Sequence, residues 1–506
     1  MSDSLHELWL RGIAFNPAAP SDVLIRLVDL AAGEAGRLMC EGRDLPDAVI
    51  DAALRHPSMG IRARLAGNQL VDPARLARLA TDPSGIVRAR LAGGPRWPRP
   101  RWIRPLPDDI LVTLLTAQDG GEDGMLTEHE ITQELAFSRQ IPLSFYRSMA
   151  GHEHPELRVR ATWRWQSLTP AQRQALLDDS DPAVREAAQE SWELDPEAVE
   201  AKLPSIGSHS KSFVLGTCAL SPALVEQCFA EGTVHPLTWN PHTPADAVAR
   251  LARHTEAKVR EMVAARPDLG PDLVAELRED PDEDVRMRAR LHPFPRTWAE
   301  YRAIQRVIGH GPDCVCPITE PDTEPSPDWI AACAASEQPE LRRVAASWPG
   351  LPAMLVDALA QDDDEEVRIL LACHQPLAPP RLLLDVFVTR QAHRPHLLTL
   401  PAFPRVGLTD LIDHPDPEVR ALAAADHTLP APPVDDPDES VRRAAAANPS
   451  LTPQNLEALL ADPRTAEGAA ANPSLPIPRM HALLDRCLNG ATTPPDGNRR
   501  RETTPT

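Results

Sequence analysis

The chain has 506 residues, 42% of them hydrophobic but only 4% aromatic, with a formal net charge of −21. That length exceeds one ordinary core and leaves several domains or one extended repeat array, and the scarcity of aromatics leaves Leu, Ala and Val to fill the core, a helical composition. The acidic balance counts against a nucleic-acid or anionic-membrane partner, and 55 prolines suit many short helices with proline in the joints.

The opening MSDSLHELWLRGIAFNPAAP has no basic segment followed by an apolar core, and no run of 18 apolar residues occurs anywhere, so a cytoplasmic protein is expected. Eight scattered cysteines make no disulfide framework and are expected as free thiols. Residues 1–92 form N-terminal helical repeats. At 93–130 the pattern is interrupted, first by GGPRWPRPRWIRP and then by the Gly- and acid-rich AQDGGEDGM. Central repeats span 131–291, a second interruption rich in Pro and acid covers 292–329, C-terminal repeats occupy 330–489, and 490–506 is expected to be a disordered tail.

The repeat shows in its punctuation. A Val-Arg dipeptide, or an Ile or Leu variant, ends at Arg62, Arg88, Arg160, Arg185, Arg260, Arg286, Arg342, Arg368, Arg420 and Arg442. Separations of 26 (62 to 88), 25 (160 to 185), 26 (260 to 286) and 26 (342 to 368) recur, and 368 to 420 is twice 26. One unit can be taken from residues 436–463. Asp436 and Pro437 are expected to start a helix whose apolar stripe is Val441, Ala444 and Ala445, and Asn448-Pro449 ends it. Leu451 fills the corner, Thr452 and Pro453 start a second helix, and Leu456, Leu459 and Leu460 form its buried face. The phrase Ala-Asn-Pro-Ser-Leu, around Asn448 and again around Asn472, is thus a corner between two helices. A pair of about 25 residues cannot bury enough surface alone, so units must stack.

This DP…VR…A-x-NP-x-LP…LL unit resembles the leucine-rich repeat variant of bacterial proteins, and its first half resembles HEAT-like repeats of the phycobilisome-lyase type. The resemblance covers most of residues 14–489 and implies an all-α, right-handed α-solenoid of short α and 3₁₀ helices with a period of about 24–26 residues. The founding member of the family carries an N-terminal iron–sulfur cluster on clustered cysteines. Here only Cys40 precedes residue 218, so no cofactor is expected.

Four sets of residues are candidates for function. The recurring arginines could grip an acidic ligand, but inter-repeat ion pairing and capping of carbonyls explain them better. Arg96, Trp97, Arg99, Arg101, Trp102 and Arg104 form a stretch without acid that could dock an acidic or aromatic partner, or pack as a linker. His310, Cys314, Cys316 and Cys333 lack paired Cys-x₂-Cys spacing, so no metal site is expected. Trp163, Trp165, Trp192, Trp239 and Trp348 fall near the ends of first helices, as if in one shared slot. No His-Glu-x-x-His, Gly-x-Ser-x-Gly, Walker A or Gly-x-Gly-x-x-Gly occurs, so no catalytic residue is expected. The resulting expectation is a non-catalytic scaffold that binds another protein or peptide. The alternatives are an enzyme or accessory of the lyase-associated type and a HEAT-like nucleic-acid binder.

Overall fold

A computed structural model describes residues 4–29, 34–68, 70–94, 105–117, 128–138, 140–191, 193–205, 208–291, 297–308, 326–348 and 350–491. Among the described residues the secondary structure is helical with no strand. Short helices stack in succession as an α-solenoid. The α-helices run from four residues (Arg394–Leu397) to fifteen (Ile477–Ala491). Helices this short are marginal alone, so packing between repeats supplies their stability.

The unit around Asn448 shows how the sequence produces the pair. Its first helix is Glu439–Ala446, with Val441 and Ala445 fully buried and Ala444 packed against them. The expected start is displaced by two residues. Asp438, not Asp436, caps the helix by accepting from Ser440 N at 2.8 Å, because Asp436 is engaged by the preceding repeat. The second helix, Pro453–Ala461, starts as expected, with Thr452 accepting from Asn455 N and Pro453 in the first turn. Leu456 and Leu460 are buried.

The chain divides into two compact units, one comprising Met1–Gln140 with Phe403–Thr506 and the other Ile141–Ala402. In the first unit the first helices of successive repeats stack in an order that does not follow the sequence. Pro417–Ala424 packs on Glu439–Ala446, then come Ala466–Ala471, Leu5–Phe15, Glu34–Gly42, Met59–Ala66 and Gly85–Gly93. The repeat richest in sequence number is therefore followed by the lowest. The interruption at 93–130 contains helical structure. Its described part includes the helix Asp108–Leu115, which buries Ile110, Leu111, Leu114 and Leu115 and packs on the 3₁₀ helix Pro73–Thr81.

In the second unit Pro155–Ala161 packs on Pro182–Gln189, Ala257–Ala264 on Glu283–Arg290, and Trp298–Ile308, Pro339–Ala346 and Glu365–His374 in turn. A continuous apolar cluster from Val199 to Ala289 forms part of its core. No helix among the described residues is long and apolar enough to cross a membrane.

Candidate functional site

In alternate repeats the arginine of the recurring dipeptide bridges two repeats. Arg260 donates Nε and Nη2 to the two carboxylate oxygens of Asp280, twenty residues ahead, at 2.7 and 3.0 Å. Its Nη1 donates to the carbonyls of His254 and Thr255, which lead into its own helix. The same geometry joins Arg62 to Asp82, Arg158 to Asp179, Arg342 to Asp362 and Arg420 to Asp436. Such planar two-point pairing is what a guanidinium does and an ammonium cannot. The hydrogen bond from Arg260 holds the Asp280 carboxyl below the usual carboxylate range, outweighing the burial that pushes it up, and Asp179 and Asp436 are lowered in the same way by Arg158 and Arg420. These arginines bond repeat to repeat, whereas Arg88, Arg185, Arg286, Arg368 and Arg442 donate Nη1 to the carbonyls that lead into their own helices.

One register is corrected. Arg158, not Arg160, occupies the ladder position, because Leu157-Arg158 and Val159-Arg160 offer the same dipeptide and only Leu157 is fully buried. Arg160 instead stacks on Trp163, 5.2 Å from the ring centre.

The aspartates of the ladder carry a sequence signal that the dipeptide alone does not. Asp179, Asp280, Asp362 and Asp436 each stand two residues before a helix-capping Asp, at 181, 282, 364 and 438. The first aspartate of each Asp-x-Asp accepts the arginine and the second caps the helix. In intervening repeats a histidine takes the first position. His56, His152, His254 and His414 each accept through Nδ1 from the backbone N–H two residues on. Those imidazoles are turn acceptors.

The corner asparagine does more than end a helix. Asn448 is fully buried and donates Nδ2 to Ala424 O and Asp426 O of the preceding repeat, both at 2.8 Å, while its Oδ1 accepts from Ser450 N. Asn472 clips Ala446 O and Asn448 O, Asn68 clips Cys40 O and Arg43 O, and Asn240 clips Leu215 O and Cys218 O. Each thereby satisfies carbonyls that a helix end leaves without a partner. The period alone does not reveal this, because the acceptors lie one repeat back.

The tryptophans do not share one environment. Trp165 is buried, whereas Trp163 is 63% exposed, the most exposed among the described tryptophans. Trp239 lies with its indole over Gly216, and Trp192 is outside the described residues. Beside Trp163, Arg164 stacks on Tyr146 at 4.0 Å, its backbone departing from helical geometry at φ −118° and ψ 39°. Two Arg–aromatic pairs thus occupy one turn of the second unit.

Arg96, Trp97, Arg99, Arg101, Trp102 and Arg104 lie outside the described residues, as do His310, Cys314 and Cys316. Cys333 is buried in the helix Pro327–Ala334. No group of three or more His, Cys, Asp or Glu among the described residues is arranged to hold a metal ion. The architecture and its bonding define a helical-repeat protein. No protein-family model matches the chain, and no curated protein does.

Proposed function

We propose that the chain is a non-catalytic repeat scaffold of the leucine-rich repeat variant type that binds another protein or peptide. The observation that supports this best is how the recurring polar groups are used. Arginines, Asp-x-Asp pairs, histidines and corner asparagines are turned inward on backbone and on one another, so the repeated chemistry builds a frame. Trp163, by contrast, faces solvent. Exposed Trp beside Arg suits recognition of an acidic or aromatic surface, and so does the composition of Arg96, Trp97, Arg99, Arg101, Trp102 and Arg104.

The test is affinity capture from the native host with the intact chain, a Trp163→Ala variant, and a variant with Arg96, Arg99, Arg101 and Arg104 changed to Ser. A protein partner retained by the intact chain and lost from either variant, with melting unchanged, supports the scaffold. A coloured or small-molecule ligand in the captured material would instead support the lyase-associated reading. Retained nucleic acid would support the third.

A further inference from the structure

We infer that the contact between the repeat at Leu5–Asp29 and the repeat at Ala466–Ala491 is a separable junction, one that parts as a unit while the helices on both sides stay folded. These two repeats are adjacent in the stack yet more than 400 residues apart in sequence, and they meet in full repeat register. RGIAFNPAAP at 11–20 answers EGAAANPSLP at 467–476, and Asn16 clips Ala470 O and Asn472 O at 2.9 and 2.7 Å as Asn472 clips the repeat before it. Gly12 permits the approach. A Cβ there would overlap Glu467 O and the Ala470 Cβ, just as one at Gly468 would overlap Arg443 O and the Ala446 Cβ one junction earlier.

One difference sets this junction apart from its neighbours. No short turn ties the helix Ala466–Ala471 to Leu5–Phe15, so the faces can separate without unwinding any helix. At a continuous junction, by contrast, a corner such as Asn448–Thr452 must unravel. Among the described residues no buried two-point Arg–Asp pair bridges it, since Ala466 and Leu10 stand where the ladder arginine would be, and the junction of Glu439–Ala446 with Ala466–Ala471 shares that feature, Arg442 donating to Asp436 O and Pro437 O instead. In its place are more exposed contacts, Arg26 with Asp485, His481 with Asp22, and Glu467 between Arg443 and Arg11. Exposed pairs of this kind contribute little. The junction is also held by apolar packing, the Asn16 clip, Arg26 Nη1 on His481 Nδ1 at 2.8 Å, Cys487 Sγ donating to His6 O at 3.8 Å, and a buried hydrogen bond from Trp9 Nε1 to Leu460 O at 2.9 Å. In an array whose stability is a sum of nearest-neighbour contacts, the junction without a chain connection is where sub-global opening starts.

Equivalent buried alanines provide the test. Ala470 faces Gly12 across this junction and Ala446 faces Gly468 across the continuous one, both at 0% exposure. Ala470→Cys and Ala446→Cys, made in the full chain, are labelled with a thiol reagent, and peptide mass spectrometry resolves the introduced cysteine from the native ones. Ala470→Cys labelling faster by on the order of tenfold, with circular dichroism unchanged, is the expected result. Equal rates that both follow global unfolding in urea would overturn the inference. Should either variant fail to fold, exchange of the Trp9 indole N–H in the unaltered protein decides. A urea dependence much shallower than that of global unfolding supports a separable junction, and an equal dependence rejects it.

Discussion

Two corners, one in each compact unit, make the same turn by different chemistry. At 447–453 the sequence is Ala-Asn-Pro-Ser-Leu-Thr-Pro, and at 265–271 it is Ala-Arg-Pro-Asp-Leu-Gly-Pro. Asn448 reaches two carbonyls with one amide group. Arg266, fully buried, reaches three, Leu237 O, Thr238 O and Asn240 O, and its charge is balanced by Asp268, which binds Nε and Nη2 at 2.9 and 2.7 Å. Ser450 and Asp268 hold the same position. The repeat thus conserves a donor aimed one repeat back rather than a residue type, and a longer cationic donor enters together with its counter-charge. Asp426 shows the converse. Having only acceptors, it faces N–H groups of Leu408 and Thr428, and these lower its carboxyl against the burial that raises it.

The comparison can be broken most sharply at Arg266. Arg266→Ala removes donors from three carbonyls and leaves Asp268 without its partner, and should cost roughly 3–5 kcal/mol in urea unfolding. Asn472→Asp keeps the shape but turns carboxylate oxygens toward Ala446 O and Asn448 O, and should cost roughly 3 kcal/mol, with Asn472→Ala milder. A double-mutant cycle sharpens the point. Asp268→Ser alone should cost on the order of 2 kcal/mol, yet adding Arg266→Asn should recover part of that loss by rebuilding the other corner, a coupling opposite in sign to simple additivity. If the double variant is as unstable as the two losses summed, the corners are not interchangeable.

A smaller effect concerns acid. Asp179, Asp280 and Asp436 are lowered in the folded chain, so their contribution is present above the unfolded carboxylate value of about 3.9 and is lost as pH falls through the lower folded values. Urea midpoints should hold between about pH 5 and 8 and decline below about pH 4, and Asp280→Asn should make that decline shallower. At the other extreme, Trp163→Ala should stay within about 0.5 kcal/mol of the parent, as expected of an exposed side chain.

The sequence made the period, the short paired helices and the second-helix caps legible, because each depends on residues a few positions apart. The arginine ladder was legible as ion pairing, but its register slipped at 157–160, where two dipeptides of the same type are adjacent, Leu157-Arg158 and Val159-Arg160, and only burial of Leu157 distinguishes them. The first-helix cap was misplaced by two because Asp436 and Asp438 are chemically alike and only the Arg420 contact separates their roles. The asparagine clips were hidden, since their acceptors are backbone carbonyls that no residue identity marks. The order of repeats across 472 and 16 was hidden as well, although the repeated phrase itself was plain. Of the surface candidates, Trp163 stands among tryptophans that are alike in sequence position and differ in exposure.

The stacking of Leu5–Phe15 on Ala466–Ala471 also limits how this unit can be lengthened. Tandem duplication ordinarily extends a solenoid at its tips, where a newcomer finds an uncovered apolar face. Here the faces of Leu5–Phe15 and Ala466–Ala471 cover each other inside the stack, so an added copy at either position would have to evict a fitted neighbour. Copy number should therefore change only by whole units inserted between existing corners, which makes the period itself a constraint on how such a chain can diverge.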